Sequence, residues 1–348
     1  MKPASAKRVT LAQVAQAAGV SVMTASYTYN QPSRVSDDAR SKVLVAAGQL
    51  GYAGPDPSAR SLRRGSTSTL GVVLGEHLSY AFQDPQAASF LAGIADVCVD
   101  HGFGMTILPI TGATDDAARI QASAVDGFVI WTTSDDDPIL KAVQTTRRPA
   151  VVHGGPAVHG LGLVSIDNQA AARAVGVVAF AGAARPAVIS FPLSRDRIST
   201  ITYGPETKDI LFPVTRERLK GYRQAAEDVG IPWKDVLVAV CARNDADEAQ
   251  RLAATLLSSR ERPDAIAAMS DEQAAGIARA ARAAGLVIPD DLALTGWDDS
   301  AVASQLGLTT VAQSMREQGA ACAQAALGQE PHSRVASWSL IRRASTHP

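Results

Sequence analysis

At 348 residues, with 33 Lys and Arg against 34 Asp and Glu, the chain is long enough for a small head and a two-lobed body, and its formal net charge of −1 conceals an uneven distribution. It has no uninterrupted apolar run long enough to span a membrane, and its N-terminus lacks the long apolar segment of a secretion signal, which disfavours an exported solute-binding protein. Cys98, Cys241 and Cys322 lie far apart and outside any CxxC pair, so they read as reduced structural thiols of a cytoplasmic protein rather than as a disulfide framework.

Residues 1–65 hold nine Lys and Arg against three Asp, an excess of six positive charges that leaves −7 for the remainder. Within this basic segment Thr10 can cap a helix over residues 11–18, where Leu11, Val14, Ala15 and Ala18 return at helical spacing. Gly19 permits a tight turn, and Ser21 can cap a second helix over residues 22–29. Ser36 opens a third over residues 36–48, with Asp37 and Asp38 in its first turn, where negative charge favours the helix end. Val43, Leu44, Ala47 and Leu50 supply a face to close over the first two helices. The pattern is a helix-turn-helix whose second helix can enter a major groove, and the excess charge coincides with it as phosphate binding requires.

At the start of the second helix Val22 and Met23 can touch thymine methyl groups, while the hydroxyls of Thr24 and Ser26 can reach phosphate or a base edge. Tyr27 and Tyr29 either extend to the DNA backbone or pack against the third helix, and Asn30 ends the second. Thr10, Leu11, Ser21, Tyr27, Asn30 and Ser36 complete the candidate contact set of the head. In residues 54–66, Gly54-Pro55-Asp56-Pro57 interrupts helical geometry, and Ser58 to Arg64 can form a short helix that is marginal alone. Leu62 is the candidate wedge between minor-groove base pairs, flanked by Ala59 and Arg60, with Arg60, Arg63 and Arg64 placed to neutralise phosphates. The same stretch also reads as a basic linker that orders only on DNA.

The body opens on a short apolar run at residues 69–74, followed by a helical stretch near residues 84–101. Further strands are expected at 104–109, 127–131, 150–152, 187–189, 236–240, 265–269 and 292–295. Alternating strands and helices imply parallel sheets, with ligand chemistry at the carboxyl ends of the strands. After the first strand, Ser79 can offer a polar handle while Tyr80 and Phe82 wall an apolar surface or brace their own loop. Trp131 and Trp297 stand near strand exits as stacking platforms or as ordinary packing. His153 and His159 form no convincing metal set, and Asp135-Asp136-Asp137 reads as a solvated turn or helix start. With no nucleotide fingerprint and no nucleophile motif, neither a cofactor nor an enzymatic reaction is expected.

Val9 to Ser26, Val35-Ser36, Leu50-Gly51-Tyr52 and Ala59-Arg60-Ser61-Leu62-Arg63 followed by Gly65 together resemble the lactose-repressor/galactose-repressor family of bacterial transcriptional regulators. The resemblance continues through Gly71-Val72-Val73, Val125-Asp126-Gly127, Ile166-Asp167-Asn168, Glu217 to Tyr222, Pro289 to Leu292, Gly296-Trp297-Asp298-Asp299, Leu308 to Val311 with Gln313, and Arg343 with Ser345-Thr346. It implies a helix-turn-helix head plus an α/β body of two doubly wound parallel-sheet lobes, like the periplasmic binding proteins. The implied divisions are a DNA-binding domain at 1–53, a hinge at 54–66 and a two-lobed effector and dimerisation domain at 67–348.

In family terms Val22 and Met23 read the operator, Leu62 is the intercalating hinge leucine, and Arg218 and Asp298 face the effector, with Asp271 following a strand in the same manner. A guanidinium can donate a rigid pair of hydrogen bonds to ligand oxygens, and a carboxylate can accept from sugar hydroxyls. The chain departs from the pattern at Tyr27, where arginine is common, at Gly154, where aspartate is common, and at Ser270, where asparagine is common. The implied protein is a homodimeric, cytoplasmic repressor that binds double-stranded operator DNA and a small carbohydrate effector, with no membrane partner. A non-sugar corepressor is the alternative, a solute-binding protein or metabolic enzyme a more distant one, and with two residues after Thr346 no tetramer-forming tail is expected.

Overall fold

The computed structural model describes residues 9–54, 65–75, 80–328 and 333–348, the side chains of residues 80 and 81 excepted. The chain divides into two compact units, Met1–Thr67 and Ser68–Pro348. The first contains α1 (Leu11–Ala17), α2 (Val22–Asn30) and α3 (Asp37–Leu50). Thr10 opens α1 with a reciprocal cap: its hydroxyl accepts from the Gln13 N–H at 3.4 Å, and its own N–H donates to Gln13 Oε1 at 2.9 Å. Gly19 turns the chain at φ +65°, a left-handed conformation that a side chain would strain. Val14, Ala15, Ala25, Val43, Ala46 and Ala47 form the small core.

One expectation about that core is corrected. Leu44 and Leu50 are 46% and 39% exposed, and the inward stripe of α3 is Val43, Ala46 and Ala47. Counting i, i+3 and i+4 from Val43 selects those positions and turns Leu44 away.

In the second unit the first lobe runs β1 (Thr69–Leu74), α4 (Tyr80–Gln83), α5 (Pro85–Asp100), β2 (Gly104–Pro109), α6 (Asp116–Ala122), β3 (Gly127–Trp131), α7 (Pro138–Thr146), β4 (Ala150–His153) and β5 (Gly162–Ser165). The chain crosses to the second lobe through α8 (Asn168–Phe180), β6 (Pro186–Ser190), β7 (Thr200–Tyr203), α9 (Pro213–Asp228), β8 (Leu237–Val240), α10 (Ala246–Leu257), β9 (Ala265–Ala268), α11 (Asp271–Ala283), β10 (Ala293–Thr295) and α12 (Ala301–Leu306). It then threads back through β11 (Thr310–Ala312), α13 (Met315–Ala326), β12 (Ser333–Val335) and β13 (Ser339–Ile341).

Among the described residues the first sheet has the order β2-β1-β3-β4-β5-β12, all neighbours parallel. The second has the order β7-β8-β6-β9-β10, parallel except for β7. Alternation along β1 sends Leu70 and Val72 to the face covered by α5 and α13, and Val73 to the face covered by α6 and α7. The antiparallel edge strand β7 was not anticipated. Its Thr-Ile-Thr-Tyr sequence leaves Ile201 and Tyr203 41% and 54% exposed, so it lacks the continuous apolar run of a strand buried on both faces. Cys98, Cys241 and Cys322 are free and buried. No helix among the described residues is long and apolar enough to cross a membrane.

The return of α13 to the first lobe depends on glycine at the crossing with α5. A Cβ on Gly93 would overlap the Arg316 carbonyl oxygen, and one on Gly319 would overlap that of Phe90. Both positions meet backbone, which cannot swing aside. Gly93→Ala and Gly319→Ala are each expected to lower body stability by about 2 kcal/mol or more in urea unfolding. Gly48→Ala, on an exposed turn of α3 with nothing near its Cβ, should instead raise the protection of α3 amides in hydrogen exchange, by up to ~1 kcal/mol. Equal losses at all three sites would overturn this reading.

Candidate functional sites in the head and the body

In the first unit, Ser21 caps α2 by accepting from the Thr24 N–H at 3.0 Å, and its hydroxyl shares a further bond with Thr24 Oγ1 at 2.9 Å. Ala25 and Thr28 face the core, which leaves Val22 and Met23 outward, 53% and 63% exposed. Ser26 and Tyr27 lie one turn beyond them on the same side and are half-buried. Asn30 donates back to the Ser26 carbonyl at 3.0 Å, and so sits inside the last turn of α2. Arg34 lies over the Tyr27 ring at 5.8 Å, while Tyr29 meets Tyr52 edge-on at 5.9 Å. Tyr27 is thus on the outer stripe and Tyr29 in the packing. Thr10 and Ser36 serve as helix caps, and Leu11 packs at the core margin. Two apolar side chains this exposed at a helix N-terminus form a surface able to meet base edges. Ala59, Arg60, Leu62 and the expected hinge helix lie outside the described residues, as do Ser79 and the side chain of Tyr80.

In the second unit four of the expected effector residues, Arg218, Asp271, Trp297 and Asp298, converge where the second-lobe strands end. Arg218, on the inward face of α9, is 5% exposed. Its Nε donates to Asn168 Oδ1 at 2.9 Å and its Nη1 to the Met269 carbonyl at 2.6 Å. The guanidinium lies 3.7 Å from the Trp297 ring centroid and 5.4 Å from that of Phe191. Burial pulls its pKa down to about 10, opposed by the charge of Asp298, so it remains a cation at neutral pH. Asp298 occupies φ +107°, a conformation that an aspartate adopts only under constraint from its surroundings. Its N–H donates to the Val311 carbonyl at 2.8 Å, and its Oδ1 accepts from Gln313 Nε2 at 2.7 Å. Burial raises the Asp298 carboxyl well above the usual carboxylate range, with Arg218 opposing.

Two sequence expectations change here. Asp271 is buried with both carboxylate oxygens committed, accepting from the Ser300 N–H at 2.7 Å and from the Thr310 hydroxyl at 2.9 Å. It ties the Gly296–Ser300 loop to the end of β9, and so braces Asp298 rather than facing a ligand. Trp297 is fully buried with one ring face taken by Arg218, which makes it a platform for that cation rather than for a ligand ring. Trp131 is 8% exposed, edge-on to Phe90 at 4.5 Å and stacked on His153 at 5.2 Å. Phe82 stands 67% exposed.

Sequence reasoning missed the contacts that bridge the lobes. Arg195 reaches Asp136 at 2.7 Å and Ser134 Oγ at 2.9 Å, and Arg216 pairs with Asp135. Asp137 caps α7 by accepting from the Ile139 N–H at 3.0 Å, so only part of the acidic triplet is a helix start. Asn244 Nδ2 donates to Asp84 Oδ2 at 2.7 Å while its Oδ1 accepts from Ser270 at 2.5 Å. A Cβ at Gly154 would lie 2.9 Å from a Val214 methyl of the second lobe, and its φ of +75° would strain any side chain there. Sequence reasoning weighed His153 only as a metal ligand, whereas it is buried, hydrogen-bonded to Gln318, stacked on Trp131 and tilted against Phe90. No group of three potential metal ligands clusters among the described residues.

Two family profiles match the chain: "Bacterial regulatory proteins, lacI family" over residues 10–54, and "Periplasmic binding protein-like domain" over residues 195–346. The HTH-type transcriptional regulator Rv3575c of Mycobacterium tuberculosis is 34% identical over 324 residues, spanning 92% of this chain and 90% of its own length. The crystal structure of a lacI-family transcriptional regulator from Corynebacterium glutamicum superposes with a TM-score of 0.73 at 27% identity, covering 98% of this chain and 100% of the other. The CelR–cellobiose complex superposes with a TM-score of 0.67 at 26% identity, covering 97% and 100%.

His153 makes the body sensitive to acid. Burial, reinforced by the Arg218 charge and opposed by the Gln318 bond, lowers its pKa from 6.5 to about 4. The unfolded chain therefore binds this proton first. The stability is fully present above pH 6.5 and drains as pH falls toward 4, by about 3 kcal/mol in all. Asp298, Asp271 and Glu272, whose pKa values are raised, act in the opposite sense, so the test is a difference. Urea unfolding between pH 4 and 7 should show a steeper acid loss in the wild type than in His153→Leu. Parallel curves would rule out a buried neutral imidazole.

Proposed function

Because the chain belongs to the lacI family of bacterial regulatory proteins, we propose that it is a repressor whose hold on operator DNA is weakened by a small polyhydroxylated effector bound between the lobes of its body. The observation that carries this reading is the Arg218–Asp298 pair: a buried cation with an unused edge beside a constrained carboxylate, at strand ends where such folds take ligands. Among the described residues Nη2 of Arg218 makes no hydrogen bond, and neither does Asp298 Oδ2. One can donate to a ligand oxygen and the other can accept from a hydroxyl. Cellobiose in the CelR complex supports a carbohydrate as the first ligand class to test.

The mechanism follows from the parts. Two heads of a homodimer bind two half-sites, with Val22 and Met23 at base edges and Leu62 of each hinge wedged into the minor groove. Effector held by Arg218 and Asp298 stabilises one arrangement of the lobes, and that arrangement disfavours pairing of the hinges. Effector and operator then weaken each other by the same factor. The protein works in the cytoplasm and catalyses no reaction.

The experiment is selection of genomic fragments by the purified full-length protein, followed by titration of the recovered operator complex with a carbohydrate panel. A recovered palindrome released by one sugar supports the reading, and a palindrome bound more tightly with ligand converts the repressor–inducer assignment into corepression. Absence of any selected sequence at both low and physiological salt defeats it. Arg218→Lys, which keeps the charge but loses the planar fork and the stack on Trp297, should leave effector-free operator affinity within about twofold and raise the effector midpoint at least ~10-fold. Met23→Ala should weaken operator binding by about 1 kcal/mol and leave scrambled duplex unaffected. Fluorescence anisotropy at matched salt measures both.

A further inference from the structure

His153 stands at the carboxyl end of β4, 8% exposed, its ring 4.6 Å from that of Phe90 and stacked on Trp131 at 5.2 Å. Its Nε2 lies 3.0 Å from Gln318 Oε1. Gln318 Nε2 donates to Gln313 Oε1 at 3.0 Å, and Gln313 Nε2 donates to Asp298 Oδ1 at 2.7 Å. These four side chains form one line from the first lobe, along α13 and the crossing segment, to the second-lobe carboxylate.

The line has a direction. Gln313 turns its amide nitrogen toward Asp298 Oδ1 and its oxygen toward the Gln318 amide. Gln318 is oriented in turn, and its oxygen requires the proton of His153 to sit on Nε2. Nδ1 is then a bare lone pair. It is buried and has no hydrogen-bond partner among the described residues. A buried acceptor without a donor is costly, and a structure that holds one in a fixed tautomer is preorganised for a donor from outside. The ring also belongs to the junction between lobes, since it feels the charge of Arg218 across it and is followed by Gly154, which packs against Val214.

We infer that His153 is the first-lobe half of the effector site, a specificity-determining residue whose Nδ1 accepts from one hydroxyl of a neutral polyol held by Arg218 and Asp298. This assignment rests on the reading that the junction binds an effector. Nδ1 accepts only from a donor, which a ligand carboxylate cannot supply, and the free Nη2 of Arg218 calls for an acceptor. A hydroxyl answers both conditions. Because Gln318 and Gln313 connect His153 to Asp298, a ligand touching both ends engages both lobes through a chain of fixed polarity.

The test uses the full-length protein and isothermal titration with D-ribose, D-glucose, D-cellobiose, a cyclohexanehexol and D-glucuronate. The neutral compound that binds is then compared with its single-deoxy analogues on the wild type and on His153→Leu. One deoxy position is expected to lose about 10- to 100-fold on the wild type and to lose nothing further on His153→Leu. Uniform weakening of the parent and every analogue by His153→Leu would reduce the residue to scaffold and overturn this assignment alone, as would glucuronate being the ligand that binds. No binding by any compound defeats the effector reading, and this assignment with it. Should His153→Leu fail to fold, histidine 15N resonances of the unaltered protein decide. An Nε2–H tautomer whose Nδ1 signal shifts on adding the ligand is expected, and an Nδ1–H tautomer overturns the proposal.

Discussion

A guanidinium taken out of water costs several kcal/mol unless each edge and face finds a partner. Arg218 is supplied from separate pieces of chain: Asn168 at the start of α8, the Met269 carbonyl past β9, the Trp297 ring past β10, and the charge of Asp298 beside it. These groups sit at the ends of parallel strands and at helix N-termini, where the doubly wound fold leaves chain free of ladder hydrogen bonds. Asp271 then holds the Trp297–Asp298 loop through Ser300 and Thr310, and Arg343 secures its far side through Asp299 at 2.6 Å. The constrained backbone of Asp298 persists because these contacts over-determine it. In this sense the loop is built around a charge.

The two lobes are joined by interactions of different strength, which suits a protein that must change state. The Arg195–Asp136 pair is exposed, and such pairs contribute roughly 0–1 kcal/mol, while the Arg216–Asp135 pair is partly buried. The helix contact of α5 with α13, by contrast, is backbone against backbone across Gly93 and Gly319. The returning chain is therefore welded into the first lobe while the lobes themselves meet through contacts that are easily exchanged. The hydrogen bonds from Asp298 through Gln313 and Gln318 to His153 follow that welded segment.

Much of the fold was legible because local rules and global structure agree. Thr10, Ser21 and Ser36 announced three helices by their capping chemistry, and all three cap as expected. The errors are equally physical. Leu44 and Leu50 were assigned inward by hydrophobicity, but the helical angle turns Leu44 away from the Val43, Ala46 and Ala47 stripe, and Leu50 is the last residue of its helix. Asp271 and Trp297 lie beside Asp298 in the sequence or the fold and carry the same chemistry on paper, yet hydrogen bonds to Ser300 and Thr310 and the stacked Arg218 determine what each can still touch. Asp135 and Asp136 read as solvated because their partners, Arg216 and Arg195, come from the other lobe.

By itself the sequence determined the three helices of the head, most strands of the two parallel sheets, and the concentration of positive charge in the first 65 residues. These are matters of spacing and composition, readable within a window of a few turns. Only the tertiary structure decided that Trp297 serves Arg218, that Asp271 is spent as a brace, and that an isolated histidine at position 153 is wired to Asp298 across 145 positions of chain. The reason is that burial and hydrogen-bond satisfaction are properties of groups brought together by crossings of the chain. A side chain has no unsatisfied atom until its neighbours are in place.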